Sequence, residues 1–151
     1  MIVLETLEDF VVGEVGKVFS TQPQVAIGKD GKTYYVKGRN SPILFSEITG
    51  CLLAGAAGLK VPHATIGLFG TDIYAAVETV PAANRNIRPW LADLTRINNR
   101  EALFEVIAVD TWLGNEDRNM GNLVGSSLGD GRIDIFMIDF EKSRRSLQTP
   151  L

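Results

Sequence analysis

Three side chains with hard oxygen ligands occur in the second half of the sequence: Asp117, Asn122 and Asp139. The first two lie in a loop-like segment rich in Asn and Asp, and Asp139 directly follows a run of apolar residues. A loop and an adjacent strand end can bring such oxygens together. Carboxylate and amide oxygens suit Mg²⁺, which keeps further positions for phosphate oxygens and water. The remaining carboxylate can accept a proton or orient an attacking hydroxyl. The spacing therefore predicts a magnesium site with an acid–base group beside it.

A lysine and a glutamate in the first half could complete this site. Lys37 ends a predicted strand, and Glu47 lies near the start of the helix predicted next. An acid at that place can pair with the lysine and hold its ammonium group against phosphates. Taken singly, Lys37 could be a solvated strand end and Glu47 a surface acid favoured by the helix dipole. The presence of both favours phosphate binding.

The first half of the chain predicts a small antiparallel sheet with one helix laid against it. Asp30-Gly31 suits a tight hairpin turn. Ser41-Pro42 suits a helix start, and Gly58 suits a left-handed helix stop. The predicted elements are strand-like runs at 10–19, 24–27 and 33–37, a helix from Ser41 to about Ala57, and a hairpin of strands 64–69 and 72–80.

The second half, after about residue 82, predicts helices followed by a second β element. A short helix is expected at about 89–97, and a longer one is expected to be capped by Asn99 and ended by Gly114. A loop at 115–122 and a Gly-rich turn then precede a strand at 133–138, which delivers Asp139.

Two segments around these residues resemble the HipA-like kinases. Residues 114–123 (Gly-Asn-Glu-Asp-Arg-Asn-Met-Gly-Asn-Leu) and 138–141 (Ile-Asp-Phe-Glu) resemble the catalytic and metal-binding segments of that family. They are also distantly similar to the Asp-x-x-x-x-Asn and Asp-Phe-Gly elements of protein kinases. The Asp-Arg-His-x-x-Asn loop of lipid kinases is similar too.

Three upstream segments extend the resemblance to about residues 15–143. Residues 34–37 (Tyr-Tyr-Val-Lys) resemble a nucleotide-binding lysine strand. Ser46-Glu47 and the later run 59–62 (Leu-Lys-Val-Pro) resemble the family's Asn-Glu helix, which ends in Gly-Leu-x-Val-Pro. The five elements occur in the family's order, which makes the likeness specific.

The resemblance implies a role for each matching residue, with ATP and Mg²⁺ as cofactors. Lys37 would contact the α- and β-phosphates with Glu47 as its ion-pair partner, and Asp117 would be the catalytic base. Asn122 and Asp139 would hold magnesium. The residues implied to cover the phosphates are Ser20, Thr21 and Gln22, and those implied to meet the adenine are Glu78, Thr79 and Val80.

The resemblance also implies the fold. It predicts an α+β, minimal protein-kinase-like fold: a small antiparallel N-terminal sheet with one helix, and a reduced helical C-terminal lobe with a catalytic β element. Residues 1–151 would form a single domain, with an N-lobe of about 1–80 and a C-lobe of about 81–151.

The sequence departs from the family pattern in three places. The phosphate-covering segment has no glycine-rich signature, and Glu141 stands where protein kinases have glycine. The sequence also ends at Leu151, soon after the metal-binding element. We therefore expect a short form in which the helices that build the substrate platform are missing.

Composition and charge exclude several classes of protein. The 151 residues carry a net charge of −3, with no basic stripe of the kind that follows nucleic-acid phosphates. The N-terminus has no basic segment typical of a secretory signal, and no apolar run is long enough to span a bilayer. Cys51 is the single cysteine, so no internal disulfide can form. We expect a soluble cytoplasmic protein.

Other site motifs are disfavoured. A calcium loop starting at Asp117 would place Leu128 where a bidentate Glu belongs. The Gly-Lys-Asp-Gly-Lys-Thr run at 28–33 lacks the first glycine of a Walker loop and precedes a strand. His63, the only histidine, has no cysteine or second histidine near it, which disfavours a metal role.

Three functions stay open from the sequence. The first is a HipA-like phosphotransferase acting on serine or threonine hydroxyls of a protein. The second is a nucleotide-binding pseudokinase or regulatory module that binds a partner chain. The third is a lipid or small-molecule kinase with the same metal site.

Overall fold

The computed structural model describes residues 6–7, 11–13, 24–69, 71–115 and 118–140. These residues form two β-sheets and three α-helices. The first sheet and first helix come from the first half of the chain, and the remaining elements come from the second half. Within the described ranges, no helix has the length and apolar character needed to cross a membrane.

The first sheet has six strands in the order β1-β5-β6-β4-β3-β2. Its strands are β1 (Thr6–Leu7), β2 (Val11–Gly13), β3 (Gln24–Ile27), β4 (Thr33–Lys37), β5 (Ala64–Phe69) and β6 (Asp72–Glu78). The two predicted hairpins, β3–β4 and β5–β6, are present and antiparallel. Four of the five strand pairings are antiparallel, as predicted, and at one edge of the sheet β1 runs parallel to β5. Because this pairing joins segments that are far apart in the sequence, no turn motif predicts it.

Helix α1 (Ile43–Ala56) packs against β5 and β6. The helix begins at Ile43 with Pro42 at the N-cap, so Ser41 lies one residue before the predicted capping position; its hydroxyl accepts a hydrogen bond of 3.3 Å from the Ile43 N–H. Gly58, with φ of +94°, ends the helix in a conformation that glycine adopts without strain. These two ends fix where Glu47 lies, one turn into the helix and facing the sheet.

The second half contains helices and a three-stranded sheet in the order β7-β8-β9. Its elements are β7 (Ala83–Asn84), α2 (Arg88–Leu91), a 3-10 turn at Leu94–Arg96, α3 (Ala102–Leu113), a 3-10 turn at Met120–Asn122, β8 (Leu123–Ser127) and β9 (Ile133–Met137). Gly114 ends α3 with φ of +65°, as predicted. Strand β9 leads directly to Asp139.

The Asn99 side chain does not cap α3, contrary to the sequence-based prediction. Its amide nitrogen donates to the Ile135 carbonyl at 2.8 Å, and its amide oxygen accepts from the Ile135 N–H at 2.7 Å. Asn99 therefore pairs with the outer edge of β9 as a neighbouring strand would. The backbone N–H and C=O groups at a buried strand edge need hydrogen-bond partners. The Asn99 side chain bonds to these groups instead of capping α3.

One hydrophobic core connects the two halves. It includes residues of α1, of α3 and of β9, together with the fully buried Phe140. The Met137 N–H also donates to the Lys60 carbonyl at 2.9 Å, and the Lys60 ammonium pairs with Asp134. The end of β9 is thereby attached to the segment that follows α1.

Cys51 lies in this core on α1 and is 2% exposed. Burial and the nearby Glu47 carboxylate raise the pKa of its thiol well above the usual value. We expect iodoacetamide at pH 8 to alkylate the native protein at least about a hundredfold more slowly than the guanidinium-unfolded chain, because the thiolate is the nucleophile. Mass spectrometry of timed samples measures both rates. Equal rates would contradict the described packing of α1.

Candidate active site

A pocket lies between the first sheet and the second. Its walls combine strand ends of both sheets with the segment that links them. The lining residues are Tyr35, Lys37, Glu47, Pro62, Val77, Glu78, Thr79, Val80, Ala83, Arg85, Gly121, Asn122, Val124, Ile138 and Asp139. Seven of the residues singled out from the sequence are therefore brought to one pocket.

Lys37 is held between two carboxylates inside this pocket. Its ammonium nitrogen lies 2.9 Å from Glu47 Oε2 and 2.9 Å from Asp139 Oδ1. Strand β4 delivers the lysine, α1 delivers the glutamate and the end of β9 delivers the aspartate. The exposed fraction of the side chain falls from 33% for Asp139 to 14% for Lys37 and 1% for Glu47. The lysine is thus screened from water but still borders the pocket.

The charges of this cluster are set by burial and by pairing. Burial lowers the pKa of Lys37, but the attraction and hydrogen bonds of Glu47 and Asp139 outweigh it, so the net pKa is raised. Burial raises the pKa of Glu47, and the pairing with Lys37 and the Phe140 N–H offsets this in part. Lys37 is therefore a permanent cation at physiological pH, suited to binding phosphate oxygens.

Asp139 lies in a tight turn after β9 that several contacts hold in place. Its φ of +65° is left-handed, a conformation in which Asp and Asn are the non-glycine residues most often found. The next N–H, that of Phe140, donates to Glu47 Oε2 at 2.9 Å. The Phe140 ring packs so closely on Gly50 that a Cβ there would lie 2.3 Å from the Phe140 Cβ. The turn is thus anchored to α1 through both the backbone and the side chain of Phe140.

Asn122 lies next to the same turn and also lines the pocket. It is buried, at 8% exposure, and its carbonyl accepts the Ile138 N–H at 3.0 Å. Asn119 shapes the local turn, since its side-chain oxygen accepts the Gly121 N–H at 2.8 Å. The backbone of Asn122 is therefore bonded to the residue that directly precedes Asp139.

The donors at this end of the pocket fit a magnesium ion. Asn122 and Asp139 offer amide and carboxylate oxygens, the hard ligands that Mg²⁺ prefers. Only Oδ1 of Asp139 is paired with Lys37; Oδ2 has no protein partner within the described ranges. No group of three His, Cys, Asp or Glu residues that could hold a metal occurs in the described part of the chain. The Asp139 carboxylate and the Asn122 amide fit Mg²⁺ because this ion commonly takes one or two protein carboxylates plus phosphates and water.

The segment after β6 also lines the pocket. The Glu78 N–H donates to His63 O at 2.8 Å and the Thr79 N–H donates to Thr33 O at 3.0 Å, which fixes the segment to its neighbours. The Val80 N–H, however, has no hydrogen-bond partner among the residues that the structure describes. A backbone donor at a pocket wall can serve a polar ligand such as a nucleobase.

Four residues from the sequence-based prediction, Ser20, Thr21, Gln22 and Asp117, lie outside the described residues. Their implied roles stay predictions. The flanking residues Asn115 and Arg118 are described, and both contact Asp110 of α3.

Eight of the fifteen lining residues were not singled out from the sequence, and Tyr35 and Arg85 are two of them. Tyr35 lines the pocket because it lies two positions before Lys37 on the same strand, and side chains alternate between the faces of a strand. That periodicity was available from the sequence. The Arg85 guanidinium lies 5.6 Å from the centre of the Tyr35 ring, and both residues line the pocket. No sequence signal identifies that contact, because it joins the two sheets.

Comparison with known proteins identifies the fold. No family model matches the chain, and no curated protein matches it by sequence. Fourteen chains of solved structures do match. One is the proinflammatory kinase CtkA of Helicobacter pylori, with a TM-score of 0.68 and 17% sequence identity over 96% of this chain.

This chain has a minimal kinase-like fold. The mixed α+β architecture agrees with the predicted fold class. At 17% identity the similarity establishes the fold alone, and the match spans 62% of the CtkA chain.

Proposed function

We propose that this protein is an ATP- and Mg²⁺-dependent phosphotransferase related to the HipA-like kinases, acting on serine or threonine hydroxyls of a protein. The observation that carries the proposal is the position of Lys37 Nζ, 2.9 Å from both Glu47 and Asp139. A lysine paired with a helix glutamate, next to an aspartate after a strand, is the arrangement that kinases use for phosphates and metal. The kinase-like fold adds independent support.

ATP would lie along the pocket with its base near the segment that follows β6. The Val80 N–H and the neighbouring backbone of Glu78 and Thr79 would meet the adenine. Lys37 would bind the α- and β-phosphates, since its ammonium is buried and oriented by Glu47. Ser20, Thr21 and Gln22 would cover the phosphates.

We also propose that residues 1–151 act as one unit, with lobes at about 1–80 and 81–151.

Asn122 and Asp139 would hold the magnesium ion. Bound there, Mg²⁺ would neutralise charge on the phosphate oxygens during transfer. The protein's own contribution is to fix both ligands on short, hydrogen-bonded turns. Asp139 is held by the Phe140 N–H bond to Glu47, and Asn122 by its bond to the Ile138 N–H.

Asp117 would act as the base. The acceptor hydroxyl would attack the γ-phosphorus in line, forming a new P–O bond as the bond to the β-phosphate oxygen breaks. The hydroxyl proton would pass to the Asp117 carboxylate, and ADP would leave. Positioning and charge neutralisation supply most of the rate enhancement in such transfers.

The nucleotide part of the proposal is tested by calorimetric titration of the protein with ATP, with Mg²⁺ and with EDTA. We expect binding that is stronger with Mg²⁺ than without it.

The acceptor is tested separately with [γ-³²P]ATP and casein, the protein itself or phosphoinositide vesicles as substrates. Labelled casein or self-labelling supports a protein kinase, and labelled lipid supports a lipid kinase. Binding without transfer to any acceptor would support the pseudokinase alternative. Absence of ATP binding would contradict all three.

Asp117→Asn should reduce phosphoryl transfer by about a hundredfold or more while leaving ATP binding within about twofold of the wild type. The reason is that a general base acts in the chemical step and contributes little to nucleotide affinity. Initial rates of ³²P transfer and calorimetric affinities measure the two effects. Asp130→Asn, which removes an exposed carboxylate paired with Arg132, is the control and should leave transfer unchanged. Unchanged transfer in Asp117→Asn would remove Asp117 from the mechanism.

A further inference from the structure

Arg118 lies next to the candidate metal site, and its guanidinium donates hydrogen bonds to three different residues. Its side chain is 13% exposed. Nε donates to Asp110 Oδ2 at 2.7 Å, and a terminal nitrogen donates to Asp110 Oδ1 at 3.0 Å. This bidentate pairing holds the guanidinium plane in one orientation, which a lysine could not reproduce.

The partner of Arg118, Asp110, is itself fixed in place. It lies on α3 at 6% exposure, and its Oδ1 also accepts a 2.9 Å hydrogen bond from the Asn115 side chain. The Asn115 N–H donates to the Asp110 carbonyl at 2.9 Å. Helix α3 thus provides a rigid base for the arginine.

The other terminal nitrogen of Arg118 connects the two halves of the metal site. It donates to the Ile138 carbonyl at 2.5 Å and to the Asn122 carbonyl at 3.2 Å. One of these carbonyls belongs to a proposed metal ligand, and the other belongs to the residue just before Asp139. The guanidinium carbon also lies 5.2 Å from the centre of the Phe140 ring, just after Asp139.

We propose that Arg118 is a positioning residue that sets the separation between Asn122 and Asp139 before any metal or nucleotide binds. This inference rests on the proposed function, because it concerns how the same site obtains its geometry. A single planar group reaches both ligand-bearing turns and is itself locked to α3, so a shift of either turn must break a charge-assisted hydrogen bond. Outer groups that orient metal ligands commonly change metal affinity by about ten- to a hundredfold when replaced.

A purely stabilising ion pair would behave differently. Breaking it would lower the free energy of unfolding and would weaken ATP binding equally at all Mg²⁺ concentrations. A positioning residue should instead raise the Mg²⁺ concentration needed for half-maximal ATP binding, while affinity at saturating Mg²⁺ recovers. The Mg²⁺ dependence therefore separates the two roles.

The test compares Arg118→Lys with Arg96→Lys. Arg96 is a matched control because it also donates to a backbone carbonyl, that of Gly131, and lies over an aromatic ring, that of Trp90, but at the protein surface. ATP binding is measured by calorimetry across a Mg²⁺ titration, with melting temperatures recorded alongside. We expect a rise of about tenfold in the half-maximal Mg²⁺ concentration for Arg118→Lys and no change for Arg96→Lys.

If Arg118→Lys does not fold, Asp110→Asn is the second variant, because it weakens the bidentate anchor and keeps the arginine. A tenfold rise in either variant supports the inference. An unchanged Mg²⁺ dependence in a folded variant overturns it while leaving the proposed function intact. If the wild-type protein shows no Mg²⁺-dependent ATP binding, the proposed function and this inference both fail.

Discussion

Asp139→Asn should abolish Mg²⁺-dependent ATP binding and reduce phosphoryl transfer to background. The substitution removes the charged ligand proposed for the metal, and an amide oxygen binds Mg²⁺ far more weakly than a carboxylate. Asparagine is the appropriate replacement because Asn and Asp both tolerate the left-handed conformation observed at this position, with φ of +65°. The loss can therefore be assigned to the missing charge. Calorimetry with and without Mg²⁺, and ³²P transfer, measure it.

The control for this variant is Asp130→Asn. Asp130 is exposed in the turn between β8 and β9 and pairs with Arg132, away from the pocket. We expect its ATP affinity to match that of the wild type. Mg²⁺-dependent binding that persists in Asp139→Asn at wild-type strength would show that the metal, if one binds, is held elsewhere.

Gly50→Ala should destabilise the protein and weaken ATP binding together. The added Cβ would lie 2.3 Å from the Phe140 Cβ and 2.5 Å from its Cγ, and Phe140 is fully buried. Overpacking of this kind costs about 1–3 kcal/mol, which exceeds the gain of up to about 1 kcal/mol from replacing a helical glycine. Movement of Phe140 would also displace Asp139. We expect a lower free energy of unfolding and ATP affinity reduced by about tenfold or more.

Gly55→Ala is the matched control in the same helix. Its added Cβ would meet a Val61 methyl carbon at 3.2 Å, a contact that a small side-chain movement relieves. We expect the free energy of unfolding to change by less than about 1 kcal/mol and ATP affinity to stay at the wild-type value. Urea unfolding and calorimetry measure both variants. Wild-type stability and affinity in Gly50→Ala would contradict the described packing of α1 against the Asp139 turn.

Much of the local structure could be predicted because its signals are local. Asp30-Gly31, Ser41-Pro42 and Gly58 each favour a turn or a helix end by their own conformational preferences, and the structure has such a feature at or within two residues of each. The proximity of Lys37 and Glu47 follows from the same reasoning, since a strand end and the next helix are joined by a short connection. Patterns of a few residues thus account for one side of the pocket.

The contacts that join distant parts of the chain could not be predicted in this way. Asparagine is a residue type favoured at helix caps, but Asn99 pairs with Ile135 of β9 instead. The edge of β9 lies beside Asn99 only in the folded chain, so the sequence does not reveal this partner. No signal in the sequence identifies Asp110 as the acceptor of the Arg118 guanidinium. That pairing depends on the orientation of α3 relative to β9, which is a property of the packed core.

The cluster of Lys37, Glu47 and Asp139 has one positive and two negative members, so its formal charge is −1 when all three are ionised. An ATP anion that enters without a cation meets net repulsion there, and a cation that enters first meets attraction. The two ligands should therefore be thermodynamically linked, with each neutralising charge that opposes the other. By reciprocity, Mg²⁺ should raise the affinity for ATP by the same factor as ATP raises the affinity for Mg²⁺.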